Sequence, residues 1–389
     1  MKRTSIARFL AALATTVACF AHAQTQGVSD NEIVIGTSLD LSGPIAATGG
    51  PTRDGMVFAV EEINAAGGIH GRKLRLQVED NGYDTKRAVL TVQKLLSKDE
   101  AFAIVGVLGS PTSLAAMPLA IDRGLPFLFA GAASDATWVP HHPLKFGLMS
   151  SNDAMVRAGI RYAHDTLGKR RFGVLYQDDD YGQSFVRAVQ TQLKVHGLEP
   201  VAATSYKRGE IDFASQMARL KAAGVDIVLL GTAGARDTAA AAIEVRKQAW
   251  DVDLMASLGA STNVTIRLGG PAVEGMHVLF QFLHSAQEMT PAYRDVVERF
   301  KARFGREPGD GVAMGYTQIM LFAEGAKNAG RNLTAQTFSQ GLEQVKNFTT
   351  VFEAPPVSYG PGQHGAPSAT IVMRVRDGRF VRVAGPLAY

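Results

Sequence analysis

Residues 102–135 read FAIVGVLGSPTSLAAMPLAIDRGLPFLFAGAASD, and this stretch alternates apolar runs with turns of small residues. The apolar runs 103–107 and 125–129 have the length of buried strands, and 113–121 between them has helical spacing. A strand, a helix and a second strand in this order predict two parallel strands in one sheet. The turn that follows each strand then lies at the carboxyl edge of the sheet, where open α/β sheets bind ligands.

The two turns, 108–113 and 130–135, let a ligand approach the backbone because their side chains are small. Ser110 and Ser134 add hydroxyl groups, and the start of the helix after the first turn favours an anion. Both turns can equally be ordinary connections from strand to helix, since small polar residues are common helix caps. On these residues alone, both interpretations stay open.

The same alternation of strands and helices extends in both directions and starts again after residue 170. It predicts two similar α/β units in one chain, so a two-lobed protein with its ligand between the lobes is the simplest architecture. The predicted strands are 32–36, 74–78, 103–107, 125–129, 172–176, 201–206, 226–231, 254–257, 276–282, 369–375 and 379–383. The predicted helices are 54–66, 85–96, 113–121, 185–196, 213–223, 238–250, 291–304 and 311–329.

Residues 1–23 have the pattern of a secretory signal peptide. Lys2, Arg3 and Arg8 form a basic front, and the apolar run after them is too short for a membrane anchor. Ala21-His22-Ala23 follows as a cleavage site, so we expect cleavage after Ala23 and export to the periplasm. A lipoprotein processed at Cys19 is the alternative, although Thr16 stands where such signals usually carry leucine.

Removal of this segment changes the charge and the cysteine content of the chain. Taking its three basic residues from 40 leaves 37 against 36 acidic residues, which gives no argument for nucleic-acid binding. Cys19 is the only cysteine, so the mature chain has no disulfide, thiol nucleophile or thiolate metal site. No later run is long and apolar enough for a membrane helix. We therefore expect a soluble exported protein.

Catalytic motifs are missing from the sequence. It has no G-x-S-x-G, G-x-x-x-x-G-K-[ST], H-E-x-x-H or strand-linked G-x-G-x-x-G. Ser110 as a nucleophile needs a base, which no sequence feature supplies. Asp178–Asp180 resembles a calcium loop only faintly, because Val189 stands where the closing glutamate belongs, and a helix cap is the better interpretation. We expect a protein that is not an enzyme and has no cofactor or metal.

Several longer segments together resemble one family. These are IVIGTSLDLSGPIAATGG (33–50), DGMVFAVEEINAAGGIHGRKLRL (54–76), the opening stretch, YQDDDYGQS (176–184) and DFASQMARLKAAGVDIVLLG (212–231). The mature chain resembles the periplasmic binding proteins for leucine, isoleucine and valine, which are receptors of ATP-driven (ABC) importers.

This resemblance implies the type I periplasmic binding protein fold, an α/β fold of two Rossmann-like parallel-sheet lobes joined by three crossovers. Lobe one is expected to comprise 31–150 plus 284–357, and lobe two 151–283 plus 358–389, with the ligand cleft between them.

The resemblance also implies site residues. In lobe one, Ser110 and the turn of Ala132, Ala133 and Ser134 match the groups that hold the ligand carboxylate. Tyr181 matches a tyrosine that lines the cleft from lobe two, and Tyr316 matches a further cleft tyrosine near the hinge.

The chain departs from the family pattern at several of these positions. Thr48 stands where the family has one aromatic residue, and Ala233 or its neighbour stands where it has another. Leu258 stands where an acid of the family binds the ligand ammonium. Tyr83 and Gly109 occupy the positions of the family's first-lobe disulfide. Fold and role survive these changes, whereas specificity for amino acids is in doubt.

A carboxylate site without its ammonium partner predicts a particular kind of ligand. An unpaired buried ammonium costs several kcal/mol, so we expect a carboxylate with an apolar or aromatic body and no required ammonium. Keto acids, aromatic acids and amide-like solutes fit this description. The alternative is that another acid reaches the ammonium and aliphatic amino acids bind; Asp178–Asp180 and Asp237 are the sequence candidates.

The predicted function is therefore an exported monomer that delivers an amino acid or related small carboxylate to the membrane permease of an ABC importer. A ligand-sensing receptor lobe for an aromatic acid, keto acid or amide-like solute is the competing class. A repressor of this fold needs a basic helix-turn-helix, and a receptor ectodomain needs a transmembrane helix; the sequence shows neither. An exported hydrolase is the third class.

Overall fold

A computed structural model describes residues 25–281, 290–352 and 355–388. The predicted signal peptide, residues 1–23, lies outside the described residues. The strands of the described chain form two separate sheets, and helices pack against each of them. No helix in these three ranges combines the length and the apolar character that crossing a membrane requires.

The first sheet contains five parallel strands. They are β1 (Glu32–Leu39), β2 (Lys73–Asp80), β3 (Ala103–Val105), β4 (Phe127–Leu128) and β5 (Lys145–Phe146). Their spatial order is β2-β1-β3-β4-β5, with every neighbouring pair parallel. The opening stretch of the sequence therefore supplies the two adjacent strands β3 and β4, as predicted.

The second sheet contains seven strands. They are β6 (Phe172–Gln177), β7 (Ala202–Tyr206), β8 (Ile227–Gly231), β9 (Asp253–Ala256), β10 (His277–Phe280), β11 (Ala369–Arg376) and β12 (Arg379–Ala388). Their spatial order is β12-β11-β10-β9-β8-β6-β7. From β7 to β10 the strands are parallel and repeat the order of the first sheet, whereas β11 and β12 are antiparallel additions at one edge.

Of the helices in the described ranges, six belong to the lobe of the first sheet and five to the lobe of the second. Lobe one carries α1 (Ala46–Ala65), α2 (Thr85–Ser97), α3 (Ser110–Ile121), α9 (Pro291–Phe304), α10 (Val312–Ala329) and α11 (Ala335–Glu343). Lobe two carries α4 (Asn152–Asp165), α5 (Asp180–Val195), α6 (Ala214–Ala222), α7 (Ala235–Lys247) and α8 (Asn263–Gly269). Apolar side chains of these helices and of the strands form the cores of both lobes.

Four helices, α1, α3, α5 and α7, begin earlier than their apolar spacing predicts. The sequence predicts that α1 begins at 54, whereas it begins at Ala46 and continues through Pro51, because packing on α10 outweighs weak local propensity. Helix α3 begins at Ser110, where Pro111 suits a first helical turn. Helix α5 begins at Asp180, because the Asp179 side chain caps its first turn. The apolar pattern of a helix thus starts after its polar first turn.

The chain passes three times between the lobes: after β5, after β10 and before β11. Gln281 ties the first two passages together, since its Nε2 donates to the Leu148 carbonyl at 2.8 Å and its Oε1 accepts from the Ser150 N–H at 2.7 Å. The Ser150 hydroxyl donates to the Pro367 carbonyl in the third passage at 2.6 Å. The expected two-lobed α/β fold with three crossovers is confirmed.

The last passage to lobe two lies later in the chain than the predicted residue 358. Tyr359 is buried in the core of lobe one, with its ring 5.1 Å from that of Phe146. His364 stacks on the same phenylalanine with ring centres 3.7 Å apart. The chain rejoins the second sheet only at Ala369, where β11 begins.

Helices α1 and α10 cross closely at glycines, and this crossing generates a stability prediction. A Cβ on Gly55 of α1 would lie 2.2 Å from the Val312 carbonyl oxygen, whereas a Cβ on Gly50 meets no atom within 4 Å. We expect Gly55→Ala to lower the free energy of unfolding by about 1–3 kcal/mol through overpacking. Gly50→Ala, the matched control in the same helix, should raise it by up to about 1 kcal/mol. Urea unfolding measures both, and equal effects would contradict the close crossing.

Candidate functional site

A cavity of about 110 Å³ lies between the two lobes. Its lining comes from turns at the carboxyl ends of parallel strands in both sheets, which is where open α/β sheets bind ligands. From lobe one it is lined by Ile45, Leu108, Ser110 and Ala132, and from lobe two by Tyr181, Ala233 and Leu258. The space is comparable with cavities that hold one small organic molecule.

Five of the seven predicted site residues line this cavity together. They are Ser110, Ala132, Ala133, Tyr181 and Leu258. All five come within about five residues of the end of a strand. The strand pattern predicts the turns that hold Ser110, Ala132 and Ala133, whereas Tyr181 and Leu258 are implied by the family resemblance.

The other two predicted residues, Tyr316 and Ser134, do not line this cavity. Tyr316 lies within lobe one, where its hydroxyl donates to the Glu62 carboxylate at 2.7 Å and its ring packs against Phe58 and Phe352. Its position on α10 turns it into the core and away from the cleft. Ser134 is buried at the start of a short 3₁₀ turn, beside the lining residue Ala133 but not itself in the lining.

Ser110 is the first residue of α3, at the edge of the cavity. The residue is only 1% exposed, and its Oγ has no hydrogen-bond partner among the described residues. A buried hydroxyl without a partner costs free energy, so most such groups in native proteins are paired. Because the helix start also favours negative charge, this hydroxyl is suited to an anionic ligand.

Gly109 and Tyr83 shape the wall next to Ser110. Gly109 caps α3 with φ of 101°, and a Cβ there would lie 2.3 Å from Cε2 of Tyr83. The Tyr83 hydroxyl accepts from Gln177 Nε2 at 3.3 Å, and the Arg208 guanidinium lies 4.4 Å above the ring. Burial raises the pKa of the Tyr83 phenol far above its ordinary value, so the group stays neutral. Tyr83 is a lining residue for which the sequence predicts no role.

Tyr181 presents its ring to the cavity while its hydroxyl is occupied inside lobe two. The hydroxyl lies 2.5 Å from Ser257 Oγ and donates to the Thr232 carbonyl at 3.2 Å. Burial raises the pKa of this phenol well above its usual range. Tyr181 therefore offers an apolar surface, and Leu258 adds another.

The acidic residues that the sequence suggests as partners of a ligand ammonium lie outside the cavity lining. Asp179 caps α5, as predicted, and pairs with Arg208 at 2.9 Å. Asp237 accepts hydrogen bonds from the Tyr206 hydroxyl and from the N–H groups of Ala233 and Gly234. Neither carboxylate lines the cavity.

Among the acidic residues that the structure describes, Asp310 does line the cavity, although the sequence predicts no role for it. It precedes α10 in a Pro-Gly-Asp-Gly turn, and this turn signal is all that marks it in the sequence. Its Oδ2 accepts from Thr262 Oγ1 and the Asn263 N–H, both at 2.8 Å, and its Oδ1 accepts from Asn263 Nδ2 at 3.0 Å. The lining drawn from the described residues contains no Lys, Arg or His.

One group of potential metal ligands lies away from the cavity. His164, Asp165 and His196, near the ends of α4 and α5, bring ligand atoms within 4.8 Å of one another. The carboxylate of Asp165 already contacts Nδ1 of His164 at 2.5 Å. These residues take no part in the cavity.

Comparison with known proteins places this geometry in context. A family model described as "Periplasmic binding protein" matches residues 32–379. An "Amino acid binding protein" of Pseudomonas aeruginosa is 28% identical over 323 residues, which cover 82% of this chain and 84% of the relative.

Two solved structures show the same fold. A branched-chain amino acid transporter substrate binding protein from Streptococcus pneumoniae, in complex with isoleucine, matches with a TM-score of 0.78 at 22% identity, over 91% of this chain and 100% of that one. A fatty acid ABC transporter substrate-binding protein from Thermomonospora curvata matches with a TM-score of 0.83 at 24% identity, over 92% and 93%.

The unpaired hydroxyl generates a prediction about stability without ligand. Ser113, in the same first turn of α3, donates its hydroxyl to the Val107 carbonyl at 3.0 Å. Ser113→Ala should therefore lower the free energy of unfolding by about 0.5–1.5 kcal/mol. Ser110→Ala should not lower it, because no bond within the protein is lost. Urea unfolding of the ligand-free variants tests this, and a clear loss for Ser110→Ala would show a partner within the protein.

Proposed function

This chain belongs to the periplasmic binding protein family, and from that premise we propose that it delivers an amino acid or related small carboxylate to the permease of an ABC importer. The observation that carries the proposal is the unpaired hydroxyl of Ser110, buried at the edge of an interlobe cavity. A membrane permease is the proposed partner, and the family name supports a periplasmic location.

The polar groups of the cavity suit a carboxylate. Ser110 offers a hydroxyl at a helix start, and the neighbouring turn of Ala132 and Ala133 can offer backbone N–H groups. Hydrogen bonds to a charged acceptor contribute about 1.5–3 kcal/mol each. The lining supplied by the described residues has no basic side chain, so this recognition relies on neutral donors.

The remaining lining suits a small apolar body. Ile45, Leu108, Leu258 and Met314 contribute aliphatic surface, and Tyr181 contributes a ring. The names of the relatives support the same chemistry, since amino acids and fatty acids share a carboxylate and differ in the apolar part. We infer that the size and shape of the cavity determine which apolar group the ligand can carry.

Enclosure of the ligand requires that the lobes separate and close again. Arg208 of lobe two donates to the Tyr83 carbonyl of lobe one, and Asp310 accepts from Thr262 across the cavity on another side. These contacts favour closure, and the three passages around Gln281 provide a hinge. Such a cycle of capture and release suits delivery to a transporter.

A thermal-shift screen of the mature protein tests the proposed function. The panel contains aliphatic and aromatic amino acids, their keto acids and aromatic carboxylic acids, and at least one should raise the melting temperature, because ligands that bind only the native state stabilise it. Incubation should leave that compound chemically unchanged. A panel without any stabilising carboxylate would contradict the proposal.

The same compound tests the role of Ser110. Ser110→Ala should weaken its affinity by roughly tenfold or more, as the loss of a charge-assisted hydrogen bond predicts. Ser113→Ala, whose hydroxyl bonds within lobe one, should change the affinity far less. Calorimetric titration measures both, and unchanged affinity in Ser110→Ala would remove this residue from the site.

A further inference from the structure

The cavity contains one carboxylate whose charge is not balanced by a protein cation. Asp310 lines it, and no Lys, Arg or His of the described ranges forms an ion pair with this residue. Its neighbours Thr262 and Asn263 are uncharged donors. A carboxylate held at the wall of a largely apolar cavity in this way attracts a cationic group.

The hydrogen bonds of Asp310 leave room for a further donor. Oδ2 accepts two of them, from Thr262 Oγ1 and the Asn263 N–H, whereas Oδ1 accepts only one, from Asn263 Nδ2. An ionised carboxylate has about four acceptor positions. One position on Oδ1 therefore remains for a ligand.

Ser110 and Asp310 line the same small space with opposite preferences. The hydroxyl of Ser110 at the start of α3 suits a negative group, whereas the carboxylate of Asp310 suits a positive one. Because both residues line one cavity of about 110 Å³, a small solute that carries both charges can contact both of them. An α-amino acid has this arrangement, and keto acids or plain carboxylic acids leave the Asp310 charge without a partner.

We propose that Asp310 binds the ammonium group of the ligand and makes the cavity selective for α-amino acids over the corresponding keto acids. This inference rests on the proposed function, since it concerns the same cavity. It also replaces the ligand class expected from Leu258 alone, because Asp310, in the turn before α10, supplies a carboxylate to the lining of the same cavity as Leu258.

Asp310 also joins the lobes, so its role as a ligand partner must be separated from a role in closure. Its three donors all belong to the turn and first residue of α8 in lobe two, while Asp310 itself precedes α10 in lobe one. A contact that only favours closure affects every ligand equally. A contact with the ammonium affects only ligands that carry one.

The test is calorimetric titration with matched pairs of probes: alanine and pyruvate, valine and 3-methyl-2-oxobutanoate, leucine and 4-methyl-2-oxopentanoate, phenylalanine and phenylpyruvate. We expect at least one amino acid to bind the wild-type protein roughly tenfold or more tighter than its keto acid. In Asp310→Asn, which keeps the shape of the side chain, that amino acid should lose roughly tenfold or more in affinity. The keto acid should change by about twofold or less, because it makes no charge-assisted bond with Asp310.

Two further variants provide the controls. Glu307→Gln removes the same charge three residues away, from an exposed side chain paired with Lys301, and should change neither affinity. Asn263→Ala removes one interlobe hydrogen bond of Asp310. It should lower the affinity for an amino acid and for its keto acid by the same factor. Binding of the keto acid to Asp310→Asn also reports that this variant is folded.

The remaining outcomes overturn the inference in distinguishable ways. If wild-type protein binds a keto acid as tightly as its amino acid, or if Asp310→Asn weakens both equally, Asp310 does not bind the ammonium, and the proposed function stands. If wild-type protein binds no compound of the panel, the proposed function fails and this inference fails with it.

Discussion

The side-chain amide of Gln281 joins two of the three chain segments that link the lobes. The Leu148 carbonyl and the Ser150 N–H are buried backbone groups in a connection without strand partners, so each needs a hydrogen bond from elsewhere. An amide supplies one donor and one acceptor together, and Ser150 extends the contact to Pro367 in the third segment. The position of one sheet relative to the other depends on this junction, and with it the position of the cavity.

The unpaired hydroxyl of Ser110 is informative because other buried polar groups near the cavity have hydrogen-bond partners. Asp40, buried in lobe one, accepts from the N–H groups of Ser42, Gly43 and Ile45 and so holds the loop that carries Ile45 to the cavity. Burial raises the pKa of the Asp40 carboxyl although these bonds favour its charged form. In the same surroundings, Ser110 Oγ has no partner within the described chain. We infer that its partner arrives with the ligand.

The sequence predicts those features of the fold that depend on a local pattern of residues. Apolar runs locate most of the strands, and because the turns that hold Ser110 and Ala132 come after strands, their place at the carboxyl edge of the first sheet is predictable. Helices α4, α8 and α11 are missing from the predicted helices, although α4 and α11 carry apolar residues on one face and have side-chain caps at Ser151 and Thr334. Tyr316 is assigned to the cleft by resemblance, and the orientation of α10 decides otherwise. Asp310 lies in a turn whose route to the cavity depends on the packing of α10 against α1, which no local pattern contains.

The most direct test of this account is a crystal structure of the mature protein with the amino acid or carboxylate that stabilises it most. The central claim is that a solute binds between the lobes and completes the hydrogen bonding of Ser110. We therefore expect a ligand carboxylate oxygen within about 2.5–3.0 Å of Ser110 Oγ, the usual range for a hydrogen bond between oxygens. A ligand bound outside the interlobe cavity, or a ligand inside it with Ser110 Oγ still unpaired, would contradict the account.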